Sequence, residues 1–423
     1  MNNTNVLFVS VAFPPKFDSE SLQTERVFRE LLTRKGYKFG VVTANPAHIR
    51  NMPVSATMTD FSNQIDDYIE LTVYENKWLN RTLAIFGLSQ LPDTKRAFHR
   101  SPLEAFDNLS HQPDVIYSRS FPPSSAILAY RLSVHFDVPW VMHLSDPWTL
   151  SPILHYSKIE LSYNQAWERL CLERARFISF TTERTLDLYA AHYAELANKF
   201  FITRNSVEIN DSMRETGTVS ATELRDDKLR IVHTGLLNRH RNPAMMLKAL
   251  ETVRHEWPEV FARIKLIFAG PCDRHVARIF AEHHNLVSYV GTVTYDESRK
   301  MIAEADLVLS VDIDFPNDSS AVFLPSKLLD YGAAGKKIIC ITNKGSPSAD
   351  FVTKSGGAVF EHGEWKQLVS FLLAMAGAKA AGEVTAFKIE PLPGCFMTPF
   401  VVDRILEKID VARNYLELTV NNP

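Results

Sequence analysis

Glycine, arginine and asparagine crowd into His233-Thr234-Gly235-Leu236-Leu237-Asn238-Arg239-His240-Arg241-Asn242-Pro243, a stretch whose chemistry suits phosphate oxygens. Gly235 lets backbone come close to a ligand, and Arg239 supplies a permanent charge on a planar fork. Arg241 adds a second guanidinium. Asn242 is a natural N-cap and Pro243 a natural first helical residue ahead of Met246, Leu247, Leu250 and Val253. A helix is therefore expected to start there, with unpaired N–H groups available to an anion. The competing reading is an ordinary βα turn with solvated arginines.

A second concentration lies at Phe323-Leu324-Pro325-Ser326-Lys327-Leu328-Leu329-Asp330-Tyr331-Gly332-Ala333-Ala334-Gly335-Lys336. Ser326 is expected to cap a short helix that carries Lys327 and, one turn on, Asp330, a carboxylate able to accept both hydroxyls of a ribose. The small residues Gly332 to Gly335 allow tight packing before a glycine stop. In the first half of the chain, His143 and Asp146 sit in Trp140-Val141-Met142-His143-Leu144-Ser145-Asp146-Pro147-Trp148 at an expected strand end. The histidine there either donates to a hydroxyl of a ligand, with Asp146 orienting it or the ligand, or is a structural histidine bonded to a neighbouring strand. Arg119 similarly either faces a ligand or is solvated.

Other chemistries lack their parts. No glycine occurs in Pro14–Ser21 after the first strand, so a dinucleotide-binding GxGxxG loop is absent, against a nicotinamide dehydrogenase. Ser10, Ser118 and Ser310 belong to no GxSxG elbow. Asp312-Ile313-Asp314 has the look of a metal-binding DxD, but at a strand end of the second half it is discounted, and His283-His284 has no ligand partner at metal spacing. No metal is expected. Cys171, Cys272, Cys340 and Cys395 are far apart and are read as buried thiols. With 46 basic and 49 acidic residues, the net charge of −3 gives no global pull toward nucleic acid.

Short β-branched and aromatic runs alternate with helical periodicity throughout, the pattern of parallel sheets with crossover helices. Strands are expected at Val6–Phe13, Lys38–Ala44, Asp114–Ser118, Val138–Ser145, Phe177–Thr181 and Phe200–Arg204, then at Leu229–Leu236, Arg263–Ala269, Leu286–Gly291, Leu307–Ile313, Lys337–Thr342 and Gly357–Phe360. The fold class is α/β, with two doubly wound, Rossmann-like domains facing a cleft. The boundaries read as 1–205 for a first domain, 206–228 for a polar connection, 229–395 for a second domain, and 396–423 for a helix returning to the first. Residues Asn45 to Gln112 interrupt the rhythm with Trp78, Phe86 and basic pairs such as Asn80-Arg81 and Lys95-Arg96. They either cover the sheet with ordinary helices or meet a lipid-linked substrate at a membrane surface. Val6–Phe13 is too short to span a bilayer and lacks the flanks of a signal peptide, so a cytoplasmic chain is expected, with peripheral contact at the inner face as an option.

The Phe323–Lys336 run resembles the retaining glycosyltransferases of family 4, which have GT-B architecture, and among them a branch reading PSKLxDY. The resemblance extends to FPP after the first strand, PDVIYSRSFPPSSA, VPWVMHLSDPW and ITRNSVE. It implies that Asp330 holds the nucleotide ribose, that Gly235 and Arg239 contact the diphosphate with Arg241 loosely matching a further basic position, and that Gly291 and Val293 belong to a loop cradling the nucleobase. The first acidic residue of the family's Glu-x7-Glu element falls on Val322, so sugar contacts are expected from the backbone of Phe323–Ser326 or from Asp318. The implied activity moves a sugar from a nucleotide sugar to a hydroxyl of a glycan or lipid-linked acceptor with retention, in surface polysaccharide or glycolipid biosynthesis. The acceptor's proton then passes to the leaving diphosphate, with no cofactor. A non-hydrolysing sugar-nucleotide epimerase, with Asp18, Asp146 or Glu183 as acid and base, and a catalytically silent nucleotide-binding scaffold are the alternatives.

Overall fold

A computed structural model describes residues 3–48, 58–73, 77–208 and 228–420. The chain divides into two compact units, Met1–Ser206 with Cys395–Pro423, and Val207–Gly394. Most of the expected connection at 206–228 lies outside the described residues.

The first unit runs β1 (Thr4–Val9), α1 (Ser19–Leu32), β2 (Tyr37–Ala44), β3 (Tyr68–Leu71), α2 (Lys77–Ile85), α3 (Arg96–His99), β4 (Val115–Ser120), α4 (Ser124–His135), β5 (Trp140–Leu144), α5 (Lys158–Arg174), β6 (Phe177–Phe180), α6 (Glu183–His192) and β7 (Phe200–Ile202). Its seven strands are parallel in the order β3-β2-β1-β4-β5-β6-β7. Period-two alternation sends Leu7 and Val9 of β1 into one core and Val6 and Phe8 into another, so both faces are covered. The second core is closed by the terminal helix, which buries Val401, Val402, Ile405, Leu406 and Ile409 against Phe8, Phe28 and Tyr117. Phe400 and Val411 of that helix are exposed.

The second unit runs β8 (Leu229–Thr234), α7 (Ala244–Glu256), α8 (Pro258–Phe261), β9 (Ile264–Ala269), α9 (Arg274–Glu282), β10 (Val287–Tyr289), α10 (Tyr295–Ala303), β11 (Leu307–Val311), α11 (Ser326–Ala333), β12 (Lys337–Ile341), α12 (Pro347–Lys354), β13 (Ala358–Phe360) and α13 (Trp365–Ala381), and the chain ends in α14 (Thr398–Val420). Six parallel strands are ordered β10-β9-β8-β11-β12-β13. Strand order therefore reverses between β8 and β11, and between β1 and β4 in the first unit, which opens the carboxyl edge of each sheet to a ligand.

Several boundaries differ from expectation. Strand β8 ends at Thr234 rather than Leu236, because Gly235 turns into the left-handed region at φ +116°. Strand β3 was hidden inside the interrupted stretch: as an edge strand of four residues it carries too little alternation to stand out. Cys272 and Cys395 are half-buried, not buried, because one lies in the turn after β9 and the other in a short 3-10 turn ahead of the terminal helix; Cys171 and Cys340 are buried. No helix among the described residues is long and apolar enough to cross a membrane.

Candidate functional site

At the carboxyl edge of the second sheet, three glycines end three adjacent strands with positive φ: Gly235 at +116°, Gly270 at +126° and Gly291 at +78°. They form a backbone ladder. Gly235 N–H donates to Ala269 O at 2.8 Å and Gly270 N–H to Gly291 O at 2.7 Å. A Cβ on Gly270 would stand 2.4 Å from the Gly235 carbonyl oxygen, so only glycine permits this approach. The edge is consequently stripped of side chains where a ligand backbone or phosphate would lie.

The loop after Gly235 is shaped by Asn238, whose Oδ1 accepts the N–H groups of His240 and Arg241, both at 2.9 Å. Asp273, the N-cap of α9, holds the Arg239 N–H at 2.9 Å. This folding separates the two arginines. Arg239 is exposed, its Nε 3.2 Å from His240 Nε2, whereas Arg241 is half-buried on the side of Lys327 and His233. Asn242 accepts the Ala244 N–H at 2.9 Å, and α7 starts at Ala244, one residue later than expected, with Pro243 in the cap position.

Helix α11 lies across the reversal point because Tyr331 pins it. The Tyr331 hydroxyl accepts the Thr234 N–H at 3.0 Å and lies 3.4 Å from Leu309 O, bridging β8 and β11, and burial pushes it up to about 12. His233 repeats the tie, donating from Nδ1 to Leu309 O at 2.9 Å; burial and then repulsion from Lys327 hold it well below its ordinary range, so its ring is neutral. Ser326 does not cap α11: Pro325 occupies that place with no side-chain bond, and Ser326 opens the helix itself. Lys327 follows, its Cδ 3.8 Å from where a Gly235 Cβ would be. Burial, then repulsion from Arg241, lowers Lys327 from 10.5 to about 8, with Asp312 opposing. Lys327 and Arg241, which repel one another, together with an uncapped helix start and a side-chain-free backbone edge, are chemistry suited to an anion.

Asp330 is buried one turn along α11, with the Tyr295 hydroxyl 3.4 Å from its Oδ1. Gly332 packs so closely that a Cβ would stand 2.7 Å from Leu392 Cδ2. Val322 is buried, so core packing occupies the position where the family pattern has an acid. Asp318 is exposed in a short turn capped by Asn317, and Val293 is half-buried beside Gly291. Asp312 is buried just past β11 and Asp314 is exposed; among the described residues no group of three or more His, Cys, Asp or Glu side chains is placed to hold a metal ion.

His143 does not reach a surface in the first unit. It is paired across the sheet with Arg119 on β4 and Ser179 on β6, its Nδ1 lies 2.8 Å from Ser179 Oγ, and the ring is fully buried. Burial and then Arg119 hold it well below its usual range. Its strand continues one residue beyond it, and α1 and the terminal helix cover that face of the sheet, which the local sequence does not reveal. Arg119 is likewise buried, not solvated, with Nε and Nη2 each 3.2 Å from Glu20 Oε1. Glu20 also accepts from Ser145 Oγ at 2.6 Å, one residue past the end of β5. Asp146 is half-buried and has a partner of its own. Glu20, Asp273 and Tyr331 escaped the sequence reading; Tyr331 stood next to Asp330, and Asp273 stood as a cap ahead of α9.

No family model matches the chain, and no curated protein sequence does. Solved structures match over nearly its full length. HepE of Anabaena, in complex with UDP, is 14% identical, covers 97% of this chain and 100% of its own, and superposes with a TM-score of 0.61. Its complex with UDP-glucose gives 0.59. A glycosyltransferase from Rickettsia africae is 12% identical, covering 97% of this chain and 99% of its own at 0.61. The UDP-GlcNAc 2-epimerase of Methanocaldococcus jannaschii is 11% identical, covering 97% and 100% at 0.55. The likeness is one of fold: two Rossmann-like units, of the kind found in GT-B proteins.

Proposed function

We propose that the protein is a sugar-nucleotide-dependent glycosyltransferase that moves a sugar to a hydroxyl of a glycan or lipid-linked acceptor with retention, and that it is related to family 4. The observation that carries this is the pairing of Arg241 and Lys327 beside Gly235, one turn from Asp330. A nucleoside diphosphate supplies what that site lacks: phosphate charge for the two cations and the start of α11, and ribose hydroxyls for Asp330. Ser326 and Lys327 N–H groups open α11 toward the phosphates, Gly235 lets them approach, and Gly291 and Val293 border the base. Negative charge grows on the diphosphate as the sugar leaves, and Arg241, Lys327 and, from the loop tip, Arg239 stabilise it. The acceptor hydroxyl attacks the sugar from the face the diphosphate is leaving, the new glycosidic bond forming as the sugar–phosphate bond breaks, and a diphosphate oxygen takes the acceptor's proton, so no nucleophilic or basic side chain is required.

Epimerisation has less support in the carboxylates. Asp18 caps α1, accepting the Ser21 N–H at 2.7 Å, and Glu183 is locked to Arg204. Since the neighbours include proteins solved with UDP and UDP-glucose, these are the first compounds to test. Thermal denaturation is expected to be raised by UDP, with UDP release from UDP-sugars depending on added acceptor. Conversion of UDP-GlcNAc to its epimer without acceptor would refute the transferase, and absence of any nucleotide response would refute the site.

A further inference from the structure

Among the described residues, helix α2 presents an exposed apolar face: Trp78 is 78% exposed, Ile85 77% and the following Phe86 70%. At 100° per residue these three lie within about one-third of the helix circumference. The apolar surface continues onto the start of α5, because Ser157 Oγ donates to Gly87 O at 2.6 Å and brings Ile159, 64% exposed, alongside. An isolated exposed apolar residue needs no explanation, but a tryptophan, a phenylalanine and two isoleucines on one surface do.

Charge identifies what covers them. From Lys77 to Arg100 the sequence holds five basic residues, Lys77, Arg81, Lys95, Arg96 and Arg100, and one acidic residue, Asp93. Asp93 and Arg96 are both buried, Asp93 bonded to the Ser124 N–H at 2.7 Å and Arg96 to Asn80 Oδ1 at 2.9 Å, so neither offers surface charge, and the described side chains left are exposed Arg81 and Arg100 and half-buried Lys95. Arg81 and Lys158 are exposed at the margin of the apolar face. The whole chain is net −3, so this local excess of positive charge stands against the general balance. A bulky apolar face edged by cations suits an interface of hydrocarbon beneath anionic headgroups.

We propose that α2, with the start of α5, docks the protein on the surface of an anionic lipid bilayer, with Trp78, Ile85 and Phe86 entering the headgroup region. This stands independently of the transferase reading. The full chain is mixed with vesicles of phosphatidylcholine alone or with about 30% phosphatidylglycerol and sedimented at low and high salt. Binding to the anionic vesicles and its weakening by salt are expected. Arg81→Gln with Lys158→Gln should reduce that binding about 30-fold, each lost cation near the surface being worth about 1 kcal/mol. Trp78→Ser with Phe86→Ser should abolish it, both side chains being exposed and outside any core. In a second measurement, brominated lipid should quench part of the fluorescence, and Trp78→Phe should remove that part while binding persists. No binding to anionic vesicles, equal binding by the variants, or quenching unchanged in Trp78→Phe would overturn the proposal. So would a dimer that the Trp78 and Phe86 substitutions dissociate, since a second copy would then be the occupant.

Discussion

Lys327 offers the sharpest test of the anion site, because its protonation and its ligand are linked. Burial and the neighbouring Arg241 lower its ammonium from 10.5 to about 8 in the free protein. A bound diphosphate restores the missing counter-charge and should return it to its ordinary value or above. Between those values binding takes up a proton, so affinity falls as pH rises. With about 8 free and about 10.5 bound, the fraction of sites already protonated drops from about nine-tenths at pH 7 to about one-tenth at pH 9, and UDP affinity should drop about tenfold. The terminal phosphate of the nucleotide ionises near pH 6, so it does not produce this slope. Calorimetry in buffers of different ionisation enthalpy should report net proton uptake near pH 8. Lys327→Gln should lose about 1.5–3 kcal/mol of UDP binding at pH 7 and flatten the profile. Folding has the opposite sign: the unfolded chain holds this proton more tightly, so the unliganded protein gains stability as pH climbs from about 8 toward 10.5. Lys327→Met therefore should not lower the melting temperature of the free protein. A UDP affinity that is flat from pH 7 to 9, or a Lys327→Met variant that simply unfolds, would refute the phosphate assignment.

Gly270→Ala places a Cβ 2.4 Å from the Gly235 carbonyl oxygen at a φ of +126°, and should cost about 3 kcal/mol or more in urea denaturation together with loss of nucleotide binding; an unchanged midpoint would contradict the glycine ladder. Asp330→Asn should weaken UDP by about 1.5–3 kcal/mol, and it should erase the difference between UDP and its 2′-deoxy analogue that the unmodified protein shows in calorimetry. Arg241→Ala should reduce UDP affinity more than Arg239→Ala, because only Arg241 lies beside Lys327, whereas Arg239→Ala should act mainly on turnover, about a hundredfold; the reverse order in titration would reassign the two arginines.

Alternating apolar runs and helical periods made the two α/β units legible in sequence, because central parallel strands buried on both faces must be nearly continuous in Val, Ile, Leu and Phe. Local rules also singled out Gly235 and Asp330, since glycine at a strand end and a carboxylate early in a short helix carry their meaning within a few positions, while Gly291 and Lys327 entered through the family resemblance. What tertiary structure decided depends on partners remote in the chain. Nothing near His143 reveals that Arg119 and Ser179 flank it across the sheet and that α1 and the terminal helix bury it. Nothing in Arg239-His240-Arg241 tells which arginine turns inward, because Asp273, more than thirty residues away, and Asn238 set the turn. Local sequence specifies backbone propensity and side-chain period. The direction in which a charge points, and the cost of its burial, are fixed only when distant strands and helices close around it.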